Sequence, residues 1–318
     1  MNKVSSIGSQ NNKHVAVLMG GWSAEREVSF SSGRGVAQAL REAGYIVSEI
    51  DVTRDIAKLV DELNTIKPDV VFNILHGPGG EDGVIQGVLE ALSIPYTFSG
   101  VMASAVAMDK VTSKKLFRFA GIPTPDWLVV SRNQLNGSMP MPLPFVIKPI
   151  YEGSSCGVRL IFNEDDYNEA LSEFMSDDWR FGEELLCEPY IPGREIQVAV
   201  MGDKALGAIE ICPKEGFYDY EAKYTDGKAI HKMPAPMPEG AYQKVLGLAL
   251  EAHKSVGCRG VSRVDVRYDE NADKFEVLEV NTQPGMTPLS LVPEIAAHVG
   301  YSFPELVAWM VENAACDK

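Results

Sequence analysis

Apolar positions in the first hundred residues alternate between two rhythms. His14 to Met19 is a short apolar run, and Gly20-Gly21 and a helical repeat from about Ser23 to Ala43 follow it, with Gly44 placed to end the helix. Tyr45 to Ile50 reads as a second strand, Ile56, Leu59, Val60 and Leu63 repeat at helical spacing, and Val70 to Leu75 is a third, mostly apolar strand. That strand runs into His76-Gly-Pro-Gly-Gly-Glu-Asp-Gly83, after which Val84, Ile85, Val88, Leu89 and Leu92 share one side of a helix. Strands alternating with helices predict a mostly parallel sheet covered on both faces. Ligands of such sheets lie beyond the carboxyl ends of the strands, where the loops around Gly20 and Gly77 fall.

Farther on, a helix is expected from Met108 to Ala120, stopped at Gly121-Ile-Pro-Thr-Pro125. After Met139-Pro-Met-Pro-Leu-Pro144 the pattern turns antiparallel: Phe145 to Ile150 and Val158 to Phe162 are strands joined by Tyr151-Glu-Gly-Ser-Ser-Cys-Gly157. A helix with Tyr167, Leu171 and Phe174, a strand from Glu184 to Glu188 and a hinge at Pro189-Tyr-Ile-Pro-Gly193 come next. Strands at Glu195 to Met201 and Ala205 to Ile211 precede a long polar, tyrosine-rich loop from Pro213 to Pro238 and a helix from about Tyr242 to Val256. A terminal helix carries Phe303, Leu306, Val307 and Met310.

The most informative pattern is Val261 to Tyr268 and Lys274 to Asn281, two alternating strands around the turn-rich Asp269 to Asp273. A hairpin symmetric about Ala272 puts Asp265 opposite Glu279 and Arg263 opposite Asn281, and the alternation of side chains then places all four on one face. Two carboxylates and an amide oxygen are hard ligands suited to Mg²⁺, and an arginine beside them suits a phosphate or an oxyanion. A solvated face with one surface ion pair has the same pattern, so the rest of the chain has to decide.

Length and charge narrow the choice. At 318 residues the chain exceeds what one hydrophobic core usually serves, so two or three domains are expected. Lysine plus arginine number 29 against 44 aspartate plus glutamate, a net of −15 that argues against nucleic acid or an anionic membrane as partner. Five scattered cysteines form no CxxC pair and indicate neither a zinc site nor a disulfide framework. The polar start, 1–13, reads as a disordered tail without a secretory core, and no apolar run is long enough to span a membrane.

Four other segments carry chemistry. In Glu152-Gly-Ser-Ser-Cys-Gly157 the glycines expose backbone N–H groups and Ser154 and Ser155 add hydroxyls, so the loop can fold over a phosphate chain, although most such loops are only turns. Lys148 ends the strand that feeds it and Lys110 can add a second charge. Glu25, read as lying in the first turn of its helix, suits the helix dipole, the reading its local sequence favours, with anchoring of a ligand ammonium at the sheet edge as the alternative; His76 faces a similar choice. After the hairpin, Gly285 offers an accessible N–H, and Ser290 is positioned as a helix cap whose hydroxyl could also receive a carboxylate.

Seven stretches taken in order resemble the D-alanine-D-alanine ligases of the ATP-grasp fold: Gly20 to Ser29, His76 to Gly83, Met108-Asp-Lys110, Lys148-Pro149 with Glu152 to Ser155, Phe217 to Tyr224, Arg263-Val-Asp265 and Leu278 to Thr287. The resemblance implies an N-terminal parallel α/β domain, 14–100, followed by two α+β domains, 101–190 and 191–318, that sandwich ATP. It further implies a two-step ligation in a cytoplasmic homodimer that supplies peptidoglycan synthesis. One D-alanine is phosphorylated by ATP to an acyl phosphate, which a second D-alanine attacks. By position, Asp265, Glu279 and Asn281 would hold two Mg²⁺ or Mn²⁺ ions, and Lys110, Lys148 and Lys223 would neutralise phosphates under the loop Glu152, Gly153, Ser154, Ser155. Glu188, Pro189, Tyr190 and Ile191 would form the adenine hinge, and Glu195 would bind ribose. Pro189 has no N–H to donate, which shifts the adenine contact towards Ile191. Glu25 and His76 would receive the first substrate, Ser290 and Leu291 the second, and Arg263 with the Gly285 N–H the oxyanion. Glu25, Ser154 and Tyr224 would draw the tyrosine-rich loop shut. Three rivals stay in play: a depsipeptide-forming relative taking D-lactate, disfavoured by Tyr224; a non-catalytic nucleotide-binding module; and an ATP-grasp ligase acting on other acids, disfavoured by the amino-acid anchors Glu25 and Ser290.

Overall fold

The computed structural model describes residues 12–214 and 228–317. The expected contributions of Lys223 and Tyr224, and the loop Phe217 to Tyr224 that carries them, lie outside the described residues. The chain opens with β1 (His14–Gly20), α1 (Arg26–Glu42), β2 (Ile46–Val52), α2 (Ile56–Ile66), β3 (Val70–Asn73) and α3 (Val84–Leu92). The three strands form a parallel sheet in the order β2-β1-β3. Alternation along β1 explains why both faces are covered: Val15, Val17 and Met19 meet α1, whereas Ala16 and Leu18 meet α2 and α3 through Leu59, Leu63, Ile85 and Leu89.

The helix expected from Met108 to Ala120 is found from Lys110 to Phe119, and a helix not expected from the sequence precedes it and ends at Met108. α4 (Val101–Met108) and α5 (Lys110–Phe119) are separated by Asp109, whose extended backbone stops one helix while its carboxylate accepts from Val111 N and Thr112 N to start the next. α4 and α5 pack on the C-terminal part of the chain, in one core with Ile196, Val198, Val264 and Val280.

The middle of the chain is an antiparallel sheet, β4-β7-β5-β6, made of β4 (Leu128–Ser131), β5 (Phe145–Pro149), β6 (Arg159–Ile161) and β7 (Glu184–Pro189), backed by α6 (Arg132–Leu135) and α7 (Glu164–Phe174). The last sheet has the order β10-β9-β8-β11-β12. Its strands are β8 (Arg194–Met201), β9 (Lys204–Pro213), β10 (Ala229–Lys232), β11 (Val261–Asp269) and β12 (Lys274–Asn281). β10 falls inside the stretch expected to be a loop, and α8 (Glu239–Val256) begins three residues earlier than expected. Ile196, Val198 and Val200 of β8 pack against α8, while Ala199 and Met201 turn the other way, towards α9 (Leu291–His298), α10 (Phe303–Glu312), α1 and the parallel sheet. The first and last sheets therefore share one apolar layer, which holds them in fixed relation. No helix among the described residues is long and apolar enough to cross a membrane.

Candidate active site

The two antiparallel sheets face each other across a cavity of about 780 Å³, within the usual range for a small-ligand site. Lys148 and Glu188 stand on the wall made by β5 and β7, and Glu195, Asp265 and Glu279 on the wall made by β8, β11 and β12. Lys110 and the Glu152-Gly153-Ser-Ser155 flap close one end, and the hinge Pro189-Tyr190-Ile191 the other. Ser154 and Ser155 hold φ of 50° and 59°, the left-handed region that non-glycine residues rarely enter. The flap is held in that shape from below: Lys110 Nζ donates to Glu152 O at 2.5 Å, and Ser154 Oγ donates to Glu25 Oε1.

At the hinge, Tyr190 N donates to Pro144 O at 3.1 Å, and Arg267 Nε donates to Ile191 O at 3.1 Å. The Tyr190 N–H is thus used within the fold. Glu195 lies 3.7 Å from Arg267 Nη1 on the cavity wall.

Beneath the hinge, Glu188 is clasped by two lysines. Lys148 Nζ donates to its Oε1, and Lys114 Nζ lies 2.9 Å from its Oε2 while also donating to Thr124 Oγ1 at 2.9 Å and Pro125 O at 3.1 Å. Burial acts to raise the Glu188 pKa, but the two ammonium groups outweigh it and hold the carboxyl below its ordinary value. Burial, helped by Lys148, lowers the pKa of Lys114 against the pull of Glu188.

The hairpin pairs as expected at the site: Arg263 faces Asn281 and Asp265 faces Glu279. A bulge between Asp265 and Val266 then shifts the register, so Val266 pairs with Val277 and the symmetry about Ala272 is lost towards the turn. Arg263 grips Asp265 with two hydrogen bonds of 2.7 and 2.9 Å, Glu279 Oε2 lies 3.7 Å from Lys110 Nζ, and Asn281 Oδ1 accepts from Gln283 N at 2.8 Å. No cluster of three His, Cys, Asp or Glu side chains suited to a metal exists among the described residues. Two facing carboxylates and one amide match a hard cation that takes its remaining ligands from substrate phosphates.

Past the flap lies a group of buried polar side chains. Glu25 is the N-cap of α1, one residue before the first turn, and its side chain makes no cap bond. The carboxylate is buried and turned to Ser154 instead. His76 is 5% exposed, its Nε2 has no hydrogen-bond partner, and burial lowers its pKa, with Arg263 acting the same way and Glu25 opposing. Ser290 occupies the N-cap of α9, but its Oγ folds back to accept from Thr287 N at 2.9 Å, so the expected side-chain cap is not made. A methyl on Gly285 would sit 2.9 Å from that Oγ, so an alanine there would push the serine hydroxyl aside. The Leu291 side chain is in the apolar core, leaving its backbone as the part that can meet a ligand.

The description "D-ala D-ala ligase C-terminus" matches residues 116–312 and "D-ala D-ala ligase N-terminus" residues 56–99. The chain belongs to the D-alanine-D-alanine ligase family. It is 54% identical over 310 residues to a D-alanine–D-alanine ligase of Paramagnetospirillum magneticum, covering 96% of this chain and 99% of that one. A D-alanine–D-alanine ligase of Sinorhizobium fredii is 51% identical over 306 residues, covering 96% and 98%. The ATP complex of the Bacillus anthracis ligase superposes with a TM-score of 0.79 at 32% identity over 95% of this chain and 97% of that one. The fold is accordingly the ATP-grasp of this ligase family.

Sequence reasoning passed over three charged side chains in this family member: Lys114, Arg267 and Glu81. Lys110 and Lys114 are one helical turn apart, both buried, in line with the apolar Phe117. That i, i+4, i+7 line is the signal that would have marked Lys114 as an inward-facing charge.

Proposed function

We propose that this chain joins two molecules of D-alanine to D-alanyl-D-alanine at the expense of ATP, through a D-alanyl phosphate, as a cytoplasmic homodimer supplying peptidoglycan precursors. One observation carries the reading: a nucleotide-sized cavity walled by Lys148 and Glu279, with Lys110 at its end, lies under a flap whose Ser154 bonds the buried carboxylate of Glu25, the group that acts on His76. That arrangement sets phosphate-binding cations against a carboxylate suited to an amino-acid ammonium.

ATP enters between the antiparallel sheets, with adenine at Glu188 to Ile191 and ribose at Glu195. Because Tyr190 N is committed to Pro144 and Pro189 has no N–H, the Ile191 N–H is the hinge donor left for adenine. Lys110 and Lys148 hold the phosphates, together with the N–H groups and hydroxyls of Glu152 to Ser155, and Lys223 is placed with them by resemblance. Mg²⁺ or Mn²⁺ held by Asp265, Glu279 and Asn281 would screen the phosphate charge during transfer. Glu25 and His76 orient the first D-alanine, Ser290 and the Leu291 backbone take the carboxylate of the second, and Arg263 with the Gly285 N–H stabilise the oxyanion. Glu25, Ser154 and Tyr224 shut the site and keep water from the acyl phosphate. The division into 14–100, 101–190 and 191–318 is proposed with the same function, with α4 and α5 leaning on the C-terminal sheet.

The test is ADP release across a panel of D- and L-amino acids with and without Mg²⁺. D-alanine-dependent and Mg²⁺-dependent turnover is expected. Well-folded protein that binds ATP and shows none would make the chain a nucleotide-binding module instead.

A further inference from the structure

Glu81, in the loop between β3 and α3, is a buried carboxyl near Glu25 that the steps above leave unused. It is 9% exposed, and its Oε1 accepts the Gly77 N–H at 3.0 Å. The flap lies directly over it: a methyl on Gly153 would stand 3.3 Å from Glu81 Oε1 and 3.6 Å from Glu25 Oε2. Two carboxylates thus meet under one flap residue. The charged groups facing Glu81 are Glu25 from the start of α1, Arg263 of β11 and Glu279 of β12. His76, whose buried Nε2 has no partner, faces the same Glu25 and Arg263. The unsatisfied imidazole and the paired carboxyls mark a place built for a cationic, hydrogen-bonding ligand group.

Resting on the ligase reading, the remaining chemistry is specific. The second amino acid arrives as an ammonium, and its nitrogen has no lone pair until a proton leaves. Glu25 is occupied by the first ammonium and Arg263 by the oxyanion. We propose that Glu81 is the base that receives this proton and so releases the attacking amine. The ammonium gives one proton to the Glu81 carboxylate, and the freed lone pair forms the C–N bond at the acyl carbon. The C–O bond to phosphate then breaks with its electron pair going to phosphate, which takes the second nitrogen proton. Burial, reinforced by Glu25, raises the Glu81 pKa to about 8, and a base is most effective when its pKa lies near the working pH.

Glu81→Gln keeps the shape and the acceptor for Gly77 N–H but cannot take a proton. Dipeptide formation and hydroxamate formation are measured side by side, the latter from D-alanine, ATP and hydroxylamine, a nucleophile that is largely unprotonated at neutral pH and needs no base. The variant should lose roughly 10²–10⁴-fold in dipeptide kcat, keep hydroxamate formation within about twofold, and lack the fall in rate below about pH 8 that is expected of the parent protein. Wild-type dipeptide turnover in the variant overturns the proposal. So does a parallel loss of hydroxamate, which would place Glu81 in the phosphorylation step. Failure of the ligase reading looks different, because the unmodified protein would then make neither product.

Discussion

Lys114 is enclosed by protein, with its side chain 0% exposed, and it is one of two cations on a single carboxylate. Replacing it by methionine keeps the length of the stem and removes the charge. Glu188 would keep Lys148 but lose the partner at 2.9 Å, and the acceptors Thr124 Oγ1 and Pro125 O would lose their donor. Breaking a buried charge pair typically costs about 3–5 kcal/mol, and the surviving pair with Lys148 places the expected loss near the lower end, about 3 kcal/mol. The functional effect follows from the same geometry. With Lys114 present the clasp carries one excess positive charge, which leaves Lys148 able to serve a phosphate; without it, Lys148 is the only counter-ion of Glu188. Moving the ammonium away then costs more, and a loss of about 1.4 kcal/mol corresponds to tenfold weaker ATP binding.

Urea unfolding and calorimetric titration with ATP and with D-alanine measure both effects in one variant. Lys114→Met should unfold at lower urea, bind ATP about tenfold more weakly and leave D-alanine binding unchanged. A destabilised variant with unchanged ATP affinity would refute the coupling through Glu188, and wild-type stability would refute the assigned charge balance.

Glu81 also links stability to pH. Its carboxyl releases a proton near 4.5 when unfolded and near 8 when folded, so its stabilising contribution is complete below pH 4.5 and lost as pH rises through 8. Glu81→Gln should therefore gain stability relative to the parent between those limits, by at most about 5 kcal/mol, and urea midpoints at about pH 5 and pH 8.5 that move in parallel for the two proteins would contradict this. Gly153→Ala puts a methyl against the Glu81 and Glu25 carboxylates and should raise KM for D-alanine severalfold, which initial rates at saturating ATP will show; an unchanged KM would mean that the flap does not rest on those groups. Gly193 has φ of 94°, and an added Cβ would lie 2.2 Å from Tyr268 O. Gly193→Ala should cost at least about 1–3 kcal/mol in denaturation, and should also weaken ATP binding because Arg267 holds Gly193 O at 2.7 Å.

Much of the fold was legible because its strands are short apolar runs with distinct boundaries. The site half of the hairpin was legible too: alternation fixes which residues share a face, and the pairing of Arg263 with Asn281 and Asp265 with Glu279 follows from the turn position. The bulge after Asp265 was hidden because Val266, Val277 and Val280 are apolar in either register. β10 was missed because Ala-Ile-His-Lys is an edge strand with one strongly apolar residue. Lys114 and Glu81 escaped for a different reason. A charge is buried only where its partners permit it, and Glu188 lies more than seventy positions from Lys114, so no local window contains both.

The break at Asp109 shows how a small local feature controls the site. A single helix from Val101 to Phe119 would satisfy the apolar pattern of α4 and α5 equally well, and propensity alone does not forbid it. Asp109 takes φ of −83° and ψ of 96° and spends its carboxylate on the N–H groups of Val111 and Thr112, so the chain changes direction immediately before Lys110. From there the ammonium of Lys110 reaches Glu152 O at 2.5 Å on the flap of the central sheet and lies 3.7 Å from Glu279 on the C-terminal hairpin. Lys110 therefore touches both walls of the cleft, and the turn that puts it there is the capping geometry of one aspartate. If the helix ran straight through, the same lysine would continue the axis of α4, and flap and hairpin would lose the charge they share.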